Sequence, residues 1–369
     1  MQRVSKLNEL IREKAQKLLE DGTVNRVLGW KQGEFFYDRT PAVFQASDAL
    51  SNLINDGFCG ANLCKYLIQE SKKDGKILAL LRPCDTYSFN QLIKEHRIDR
   101  ENVYILGIDC PGMLDINKMR DKGIKGIQEV EEKEDELIID TLYGWKNCKR
   151  EEVLLEKCLS CKGKQHVAYD ELVLEIKEND VISDNAAISD NEAMSGNAAM
   201  SGCEASGSEK GIAGLKGTKF ERNPYEMVEK IEAMTPDERF AFWRSELSKC
   251  IRCNACRNVC PACTCIKCVF DNDKSGISSK ANTDTFEENM FHIIRAFHVA
   301  GRCTDCGECS RVCPQRIPLH LLNRKIIKDI NEFYGQYQAG ADTETPGPLT
   351  SYKQDDVEPG IILRKGGHK

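Results

Sequence analysis

The stretch CIRCNACRNVCP (250–261) is written a second time as CTDCGECSRVCP (303–314). In each copy three cysteines are separated by two residues, and a fourth follows after three more with proline behind it. The first copy supplies Cys250, Cys253, Cys256 and Cys260, and the second Cys303, Cys306, Cys309 and Cys313. This C-x2-C-x2-C-x3-C-P spacing belongs to thiolate runs that hold cubane 4Fe–4S clusters. Three closely spaced cysteines can wrap one face of a cube from a tight loop, but the fourth cannot close on the same cube and reaches across to its neighbour. The spacing therefore predicts one cluster held by Cys250, Cys253, Cys256 and Cys313, and another by Cys303, Cys306, Cys309 and Cys260. Pro261 and Pro314 turn the chain away from each cluster without leaving a backbone donor behind.

A doubled run of this kind reads as a bacterial-type two-cluster ferredoxin domain. Zinc ribbons also use C-x2-C pairs, yet a ribbon has no use for a third cysteine at the same spacing followed by Cys-Pro, and none for a repeat of it. Disulfides require an oxidising compartment, and the amphipathic start MQRVSKLNELIREKAQKLLEDG carries too many charges for a secretory signal. The chain has 19 cysteines, eleven of them between Cys250 and Cys313, which points to metal or redox chemistry. The expected setting is the cytoplasm of an anaerobe or a facultative organism, because exposed clusters are easily damaged by oxygen. Acidic residues exceed basic ones by 58 to 52, for a net charge of −6, so neither nucleic acid nor an acidic membrane is an expected partner. No apolar run approaches the roughly 20 residues of a transmembrane segment.

At 369 residues the chain has room for two or three domains. Leu7, Leu10, Ile11, Leu18 and Leu19 recur at helical spacing in the first segment. Residues 23–31 and 40–45 read as short strands, and 47–56 and 62–73 as helices. Next come the apolar run KILALL (76–81), a helical stretch over 85–98 and a second apolar run, VYILGID (103–109). Fully apolar strands separated by a helix predict a parallel βαβ unit. Residues 124–131 and 137–143 read as an irregular strand pair. The fold class expected is thus an α/β N-terminal domain with a parallel βαβ core (1–176), joined to a mostly helical two-cluster ferredoxin domain (218–336). Between them, 177–217 is an imperfect Ser/Asp/Asn/Ala/Gly repeat with nothing to bury and reads as a flexible linker, its Cys203 an uninvolved thiol. Residues 337–369 read as an extended tail. The cluster domain opens at Thr235-Pro236-Asp237-Glu238, a capping box with proline at the first helical position. Further helices are expected over 285–301 and 318–334, with His292 and His298 as partly buried or surface histidines.

The remaining cysteines fall into two groups. Cys263, Cys265 and Cys268 lie beyond the first run and could be alternative ligands, a redox pair or ordinary buried thiols; since eight motif positions already fill two cubes, the last is the favoured reading. Cys84, in LLRPCD (80–85), and Cys110, in GIDCPG (107–112), follow the two apolar strands. If those strands are parallel, both cysteines emerge at the carboxyl edge of the sheet, where open α/β sheets bind ligands. Cys158 and Cys161 form a C-x2-C pair further on. Together these four offer the thiolates for a third 4Fe–4S cluster, with Cys148 as an alternate fourth ligand. Buried thiols beside an unrelated loop are the other reading of the same residues. Arg82 is expected to face an anion or a flavin phosphate, and Asp85 to cap the following helix.

The segments LEDGTVNRVLGW (19–30), LALLRPCD (78–85), VYILGIDCPG (103–112) and CLSC (158–161) resemble the beta subunits of coenzyme F420-reducing hydrogenases and dehydrogenases. RPCD and CIRCNACRNVCPACTC (250–265) are also similar to the iron–sulfur subunit of anaerobic sulfite reductase and to the sulfhydrogenase beta subunit. The resemblance implies an FAD-containing iron–sulfur electron-transfer subunit of a larger oxidoreductase complex. No GxGxxG fingerprint is present, so FAD is implied by the resemblance alone. Electrons would pass between a flavin or third cluster and a partner subunit, be it a hydrogenase, a formate dehydrogenase, a reductase or a heterodisulfide-reductase-like protein. The alternative is a self-sufficient flavoenzyme acting on a soluble carrier such as F420 or NAD(P)H.

Overall fold

The computed structural model describes residues 2–133, 135–161, 165–173, 223–272 and 285–349, with the side chains of 2–5 and 285–288 outside that description. The segment read as a linker, with Cys203, and the end of the tail beyond 349 lie outside the described residues.

The N-terminal half runs α1 (Gln2–Glu20), β1 (Arg26–Gln32), β2 (Arg39–Phe44), β3 (Leu53–Ile54), α2 (Cys64–Glu70), β4 (Ile77–Leu81), α3 (Pro83–Lys94) and β5 (Val103–Ile108). It continues through α4 (Ile116–Asp121), β6 (Ile127–Lys133), β7 (Glu136–Thr141), β8 (Lys146–Lys149), α5 (Glu156–Leu159) and β9 (Glu171–Val173). The main sheet has the order β2-β1-β4-β5-β9, with β3 also pairing β1. Strands β1, β4, β5 and β9 are mutually parallel, and β2 and β3 add antiparallel pairs on β1. The expected βαβ unit is β4-α3-β5, in register from Ile77 opposite Val103 to Leu81 opposite Gly107. All five residues of β4 are buried, as the interior strand of a covered parallel sheet must be. Ile11 and Ala15 of α1 are buried in the same core, with Leu7, Leu10, Leu18 and Leu19 packed around them.

Two local expectations change. Residues 47–56 form a short 3-10 turn over Asp48–Asn52 leading into β3 instead of a helix, because Leu53 pairs with Lys31 of β1. The pair β6–β7 gains a third antiparallel strand, β8, which carries Cys148 opposite Leu137.

The C-terminal half is helical: α6 (Glu226–Glu232), α7 (Pro236–Leu247), α8 (Ala255–Asn258), α9 (Thr285–His298), α10 (Glu308–Arg311) and α11 (Leu319–Tyr334). The capping box opens α7 as its sequence requires: Glu238 N donates to Thr235 Oγ1 at 3.3 Å, and Thr235 N donates to Glu238 Oε2 at 2.9 Å. After α11 the chain folds back along α3, where Lys94 Nζ donates to the Thr345 carbonyl at 2.7 Å. Among the described residues no helix is long and apolar enough to cross a membrane.

Candidate iron–sulfur centres

The repeated sequence folds as a repeated backbone. Left-handed φ values recur at equivalent places in the two loops: 52° at Arg252 and 59° at Asp305, then 61° at Asn254 and 67° at Gly307. Each loop then enters a one-turn helix, α8 or α10, that carries the third cysteine. Left-handed residues inside such a turn aim successive amides at one point, a concavity suited to anionic sulfur. Arg252 N already donates to Cys250 Sγ at 3.3 Å.

The fourth cysteine of each run lies with the other run. One pocket is lined by Cys250, Cys253, Cys256 and Cys313 together with Phe291 and His292. Cys260 stands instead close enough to Cys303, Cys306 and Cys309 to bear on the ionisation of each. Among the described residues no three Cys, His, Asp or Glu side chains close around a single ion; a four-iron cube is wider than an ion and takes its thiolates further apart. Two buried polar groups give an independent measure of fit. His292, expected to be partly buried or at the surface, is 2% exposed, and neither ring nitrogen has a hydrogen-bond partner. Burial, with Arg295 and Arg252 nearby, pushes its pKa down to about 3, so the ring is neutral. His298 is exposed. Arg295 is 3% exposed, donates to the Cys256 carbonyl and has Cys256, Cys260, Cys263 and Cys309 nearby. An unpaired ring N–H and an unpaired buried cation both suit a cavity that receives an anionic cluster.

Of the three supernumerary thiols, Cys263 hydrogen-bonds Cys260, Cys268 is held by Arg257, and Cys265 is exposed.

The N-terminal thiols converge by a different route. Parallel β4 and β5 put Cys84 and Cys110 at the same carboxyl edge. The chain after β5 then pairs with the segment before α5: Leu155 N donates to the Met113 carbonyl at 2.8 Å, and Met113 N donates to Cys158 Sγ at 3.3 Å. Cys161 hydrogen-bonds Cys84 and holds its pKa below the ordinary thiol value against the effect of burial. Burial pushes Cys110 up to about 12, with Cys84 and Cys158 adding to the effect. The four candidate ligands thus form one group. Cys148 is apart from it, on β8 near Glu152 and Lys122. Arg82, expected to face an anion, is 1% exposed and points inward. Its Nε donates to Asp85 Oδ2 at 2.9 Å, its Nη2 to the Ala61 carbonyl at 2.5 Å and its Nη1 to the Cys59 carbonyl, while the guanidinium lies over Trp30. Asp85 takes the capping place, accepting from Arg82 N at 3.4 Å. The pair braces the turn that carries Cys84.

Sequence reasoning passed over the residues that join the two halves. Lys157, beside Cys158, donates to Glu308, which sits between Cys306 and Cys309, and to the Gly60 carbonyl at 2.9 Å. Glu308 also accepts from Asn62 N at 3.1 Å and from Arg311 Nη2 at 2.8 Å, and its side chain is 1% exposed. Gly307, at φ +67°, lets the loop approach: a Cβ there would stand 2.5 Å from Lys157 Cβ. Lys65 donates to the Cys263 carbonyl, Arg302 pairs with Glu95, and Ser88 meets Thr304 at 3.0 Å. The N-terminal thiols therefore lie against the loop of Cys303, Cys306 and Cys309. The only available signal was a charged residue directly flanking a cysteine in KCLSC and CGEC, and it does not name its partner.

Residues 246–317 match the family model described as a 4Fe-4S dicluster domain. The chain is 26% identical over 361 residues to the F420-dependent formate dehydrogenase subunit beta of Methanocaldococcus jannaschii, covering 89% of this chain and 90% of that protein. It is 27% identical over 372 residues to the F420-dependent formate dehydrogenase 1 subunit beta of Methanococcus maripaludis, covering 90% of each. A chain of the F420-reducing [NiFe] hydrogenase complex from Methanosarcina barkeri superposes with a TM-score of 0.36 at 10% identity, over 44% of this chain and 63% of that one, too slight a likeness to support an argument. With similarity to F420-dependent formate dehydrogenase beta subunits running through about nine tenths of its length and a 4Fe-4S dicluster domain within it, the chain is an iron–sulfur protein similar to those subunits.

Proposed function

We propose that the protein is the electron-transfer subunit of an oxidoreductase complex, with electrons passing through three 4Fe–4S clusters. Cys84, Cys110, Cys158 and Cys161 would hold one, Cys303, Cys306, Cys309 and Cys260 the next, and Cys250, Cys253, Cys256 and Cys313 the last. Bound there, the clusters supply one-electron transfer. The observation that carries the reading is the buried Lys157–Glu308 contact, which ties the loop of the N-terminal thiols to the loop of the second run. The second run in turn shares Arg295 with the first. The domains of 1–176 and 218–336 then form one continuous conductor. Cys253 is exposed and Ile251 is 58% exposed, so the first run is the end open to a partner. The relatives' names suggest a formate dehydrogenase or hydrogenase subunit as that partner and F420 as the soluble carrier at the other end, with FAD in the N-terminal domain as the natural converter between hydride and single electrons.

Anaerobically purified protein tests the proposal. It should carry about twelve irons, extractable FAD, and clusters that bleach when reduced F420 is added. A colourless protein with stoichiometric zinc would refute it. Turnover of F420 or NAD(P)H by the isolated chain with a soluble acceptor only, and no electron transfer to any dehydrogenase or hydrogenase subunit, would favour the self-sufficient flavoenzyme.

A further inference from the structure

Helix α9 carries a cation into the middle of the ferredoxin domain. Arg295 is 3% exposed, and its Nη2 donates to the Cys256 carbonyl at 3.1 Å. Cys256 and the second-run ligands Cys260 and Cys309 all lie close enough to feel its charge. Among the described residues no carboxylate pairs with it. This is unusual company for a buried guanidinium. Three other buried arginines of the described structure each have a carboxylate: Arg82 has Asp85, Arg39 has Asp56, and Arg324 has Asp305. Burying a cation unpaired costs several kcal/mol, and an arginine cannot escape by losing its proton. Among the described residues the anionic groups beside it are the cysteines, so what balances it there is the charge of these cysteines and of what they bind.

We infer that Arg295 is a counter-charge shared by the two clusters of the ferredoxin domain and that it raises the reduction potential of both. The inference rests on the proposed cluster ligands and goes beyond them. Each cluster gains one negative charge on accepting an electron. A fixed positive charge between the two sites favours the reduced state of each over its oxidised state, and the low dielectric of a buried site strengthens the effect. Because the same guanidinium acts on both, it moves the two potentials together and leaves the driving force between them largely unchanged. Arg295 keeps its proton throughout, and only an electron moves.

The test uses the full chain, purified anaerobically, with EPR-monitored redox titration of wild type, Arg295→Gln and Arg295→Lys. In the Gln variant both ferredoxin-domain signals should titrate at lower potential. At the wild-type midpoint the ratio of reduced to oxidised cluster should fall about tenfold, a shift of about 59 mV for a one-electron couple. Arg295→Lys, which keeps the charge, should recover most of that ratio. Unchanged potentials in a fully loaded Gln variant, a shift confined to one cluster, or an equal shift in the Lys variant would each overturn the inference. If the Gln variant does not load iron, loading in the Lys variant alone supports a requirement for charge, and failure in both shows that shape is what matters and overturns it. Wild-type protein lacking the two signals would overturn the proposed ligands first and this inference with them.

Discussion

Changing Glu308 to glutamine tests the joint between the two halves. The Glu308 side chain is 1% exposed and that of Lys157 is 7% exposed. The Glu308 carboxylate also receives Arg311 and the Asn62 amide. Glutamine keeps the shape and one acceptor oxygen but leaves Lys157 buried without an opposite charge. Removing one partner of a buried pair costs about 3–5 kcal/mol. At about 1.4 kcal/mol per factor of ten, opening of the joint should become roughly a hundredfold to a few thousandfold more frequent. Hydrogen exchange reads this directly, since exchange from the native state follows the free energy of local opening. The amides of α10 and of the Asn62–Cys64 turn should exchange faster by that factor, while those in β2, at the outer edge of the main sheet, should not change. Lys157→Met should cost a similar amount. The double variant should cost less than the sum, because Lys157 is then no longer buried and unpaired and only the more exposed Arg311 is left without its carboxylate. Strictly additive losses, or an Asn62 amide that exchanges at the wild-type rate in Glu308→Gln, would refute the reasoning.

Four further outcomes follow from the same geometry. Lowering the pH should weaken the joint only in acid: burial pushes the Glu308 carboxyl up, but Arg311 and Lys157 outweigh it and hold its pKa well below the usual range. Its stabilisation is therefore complete above the unfolded carboxylate value of about 4.3 and is lost as pH falls below it, a step that hydrogen exchange should show in wild type and miss in Glu308→Gln. Gly307→Ala should open the same joint by about 1–3 kcal/mol, since it strains a left-handed residue and drives a methyl into Lys157, and its readout is also exchange at α10. Cys313→Ser should perturb the EPR signal of the cluster of Cys250, Cys253 and Cys256, and Cys260→Ser that of Cys303, Cys306 and Cys309; damage confined to the cluster of the same run would contradict the crossed arrangement. Cys84→Ala or Cys158→Ala should lower the iron content of the full chain from about twelve to about eight, leaving both ferredoxin-domain signals in place.

What could be read in advance was what depends on local spacing. The doubled run fixes its own loop because C-x2-C-x2-C leaves few ways to curl, and the left-handed residues at Arg252 and Asn254 recur at Asp305 and Gly307. The βαβ unit was legible because β4 is apolar throughout and Pro83 marks the start of α3. Beyond that range the sequence is silent. Arg82 looks like an anion ligand because arginine beside a cysteine and an aspartate at the end of a strand usually faces out. Only the packed structure shows Cys59, Ala61, Asp85 and Trp30 surrounding its guanidinium. The 3-10 turn at Asp48–Asn52 follows from a pairing with β1 about 20 residues earlier, which no local propensity encodes.

The charged residues follow a division of labour that also lies beyond local reading. At the joint the Glu308 carboxylate is shared by Lys157 and Arg311, so each of these charges has an opposite and the contact can hold two thiolate loops together. Inside the ferredoxin domain Arg295 has no such partner among the described residues, and its charge remains to act on whatever the cysteines hold. A paired ion fixes distance, and an unpaired one fixes potential. Electron transfer between buried centres depends on both quantities, and under the function and the inference proposed above they fall to different residues: distance to the Lys157–Glu308 contact between the halves, potential to the cation that α9 carries between the two runs.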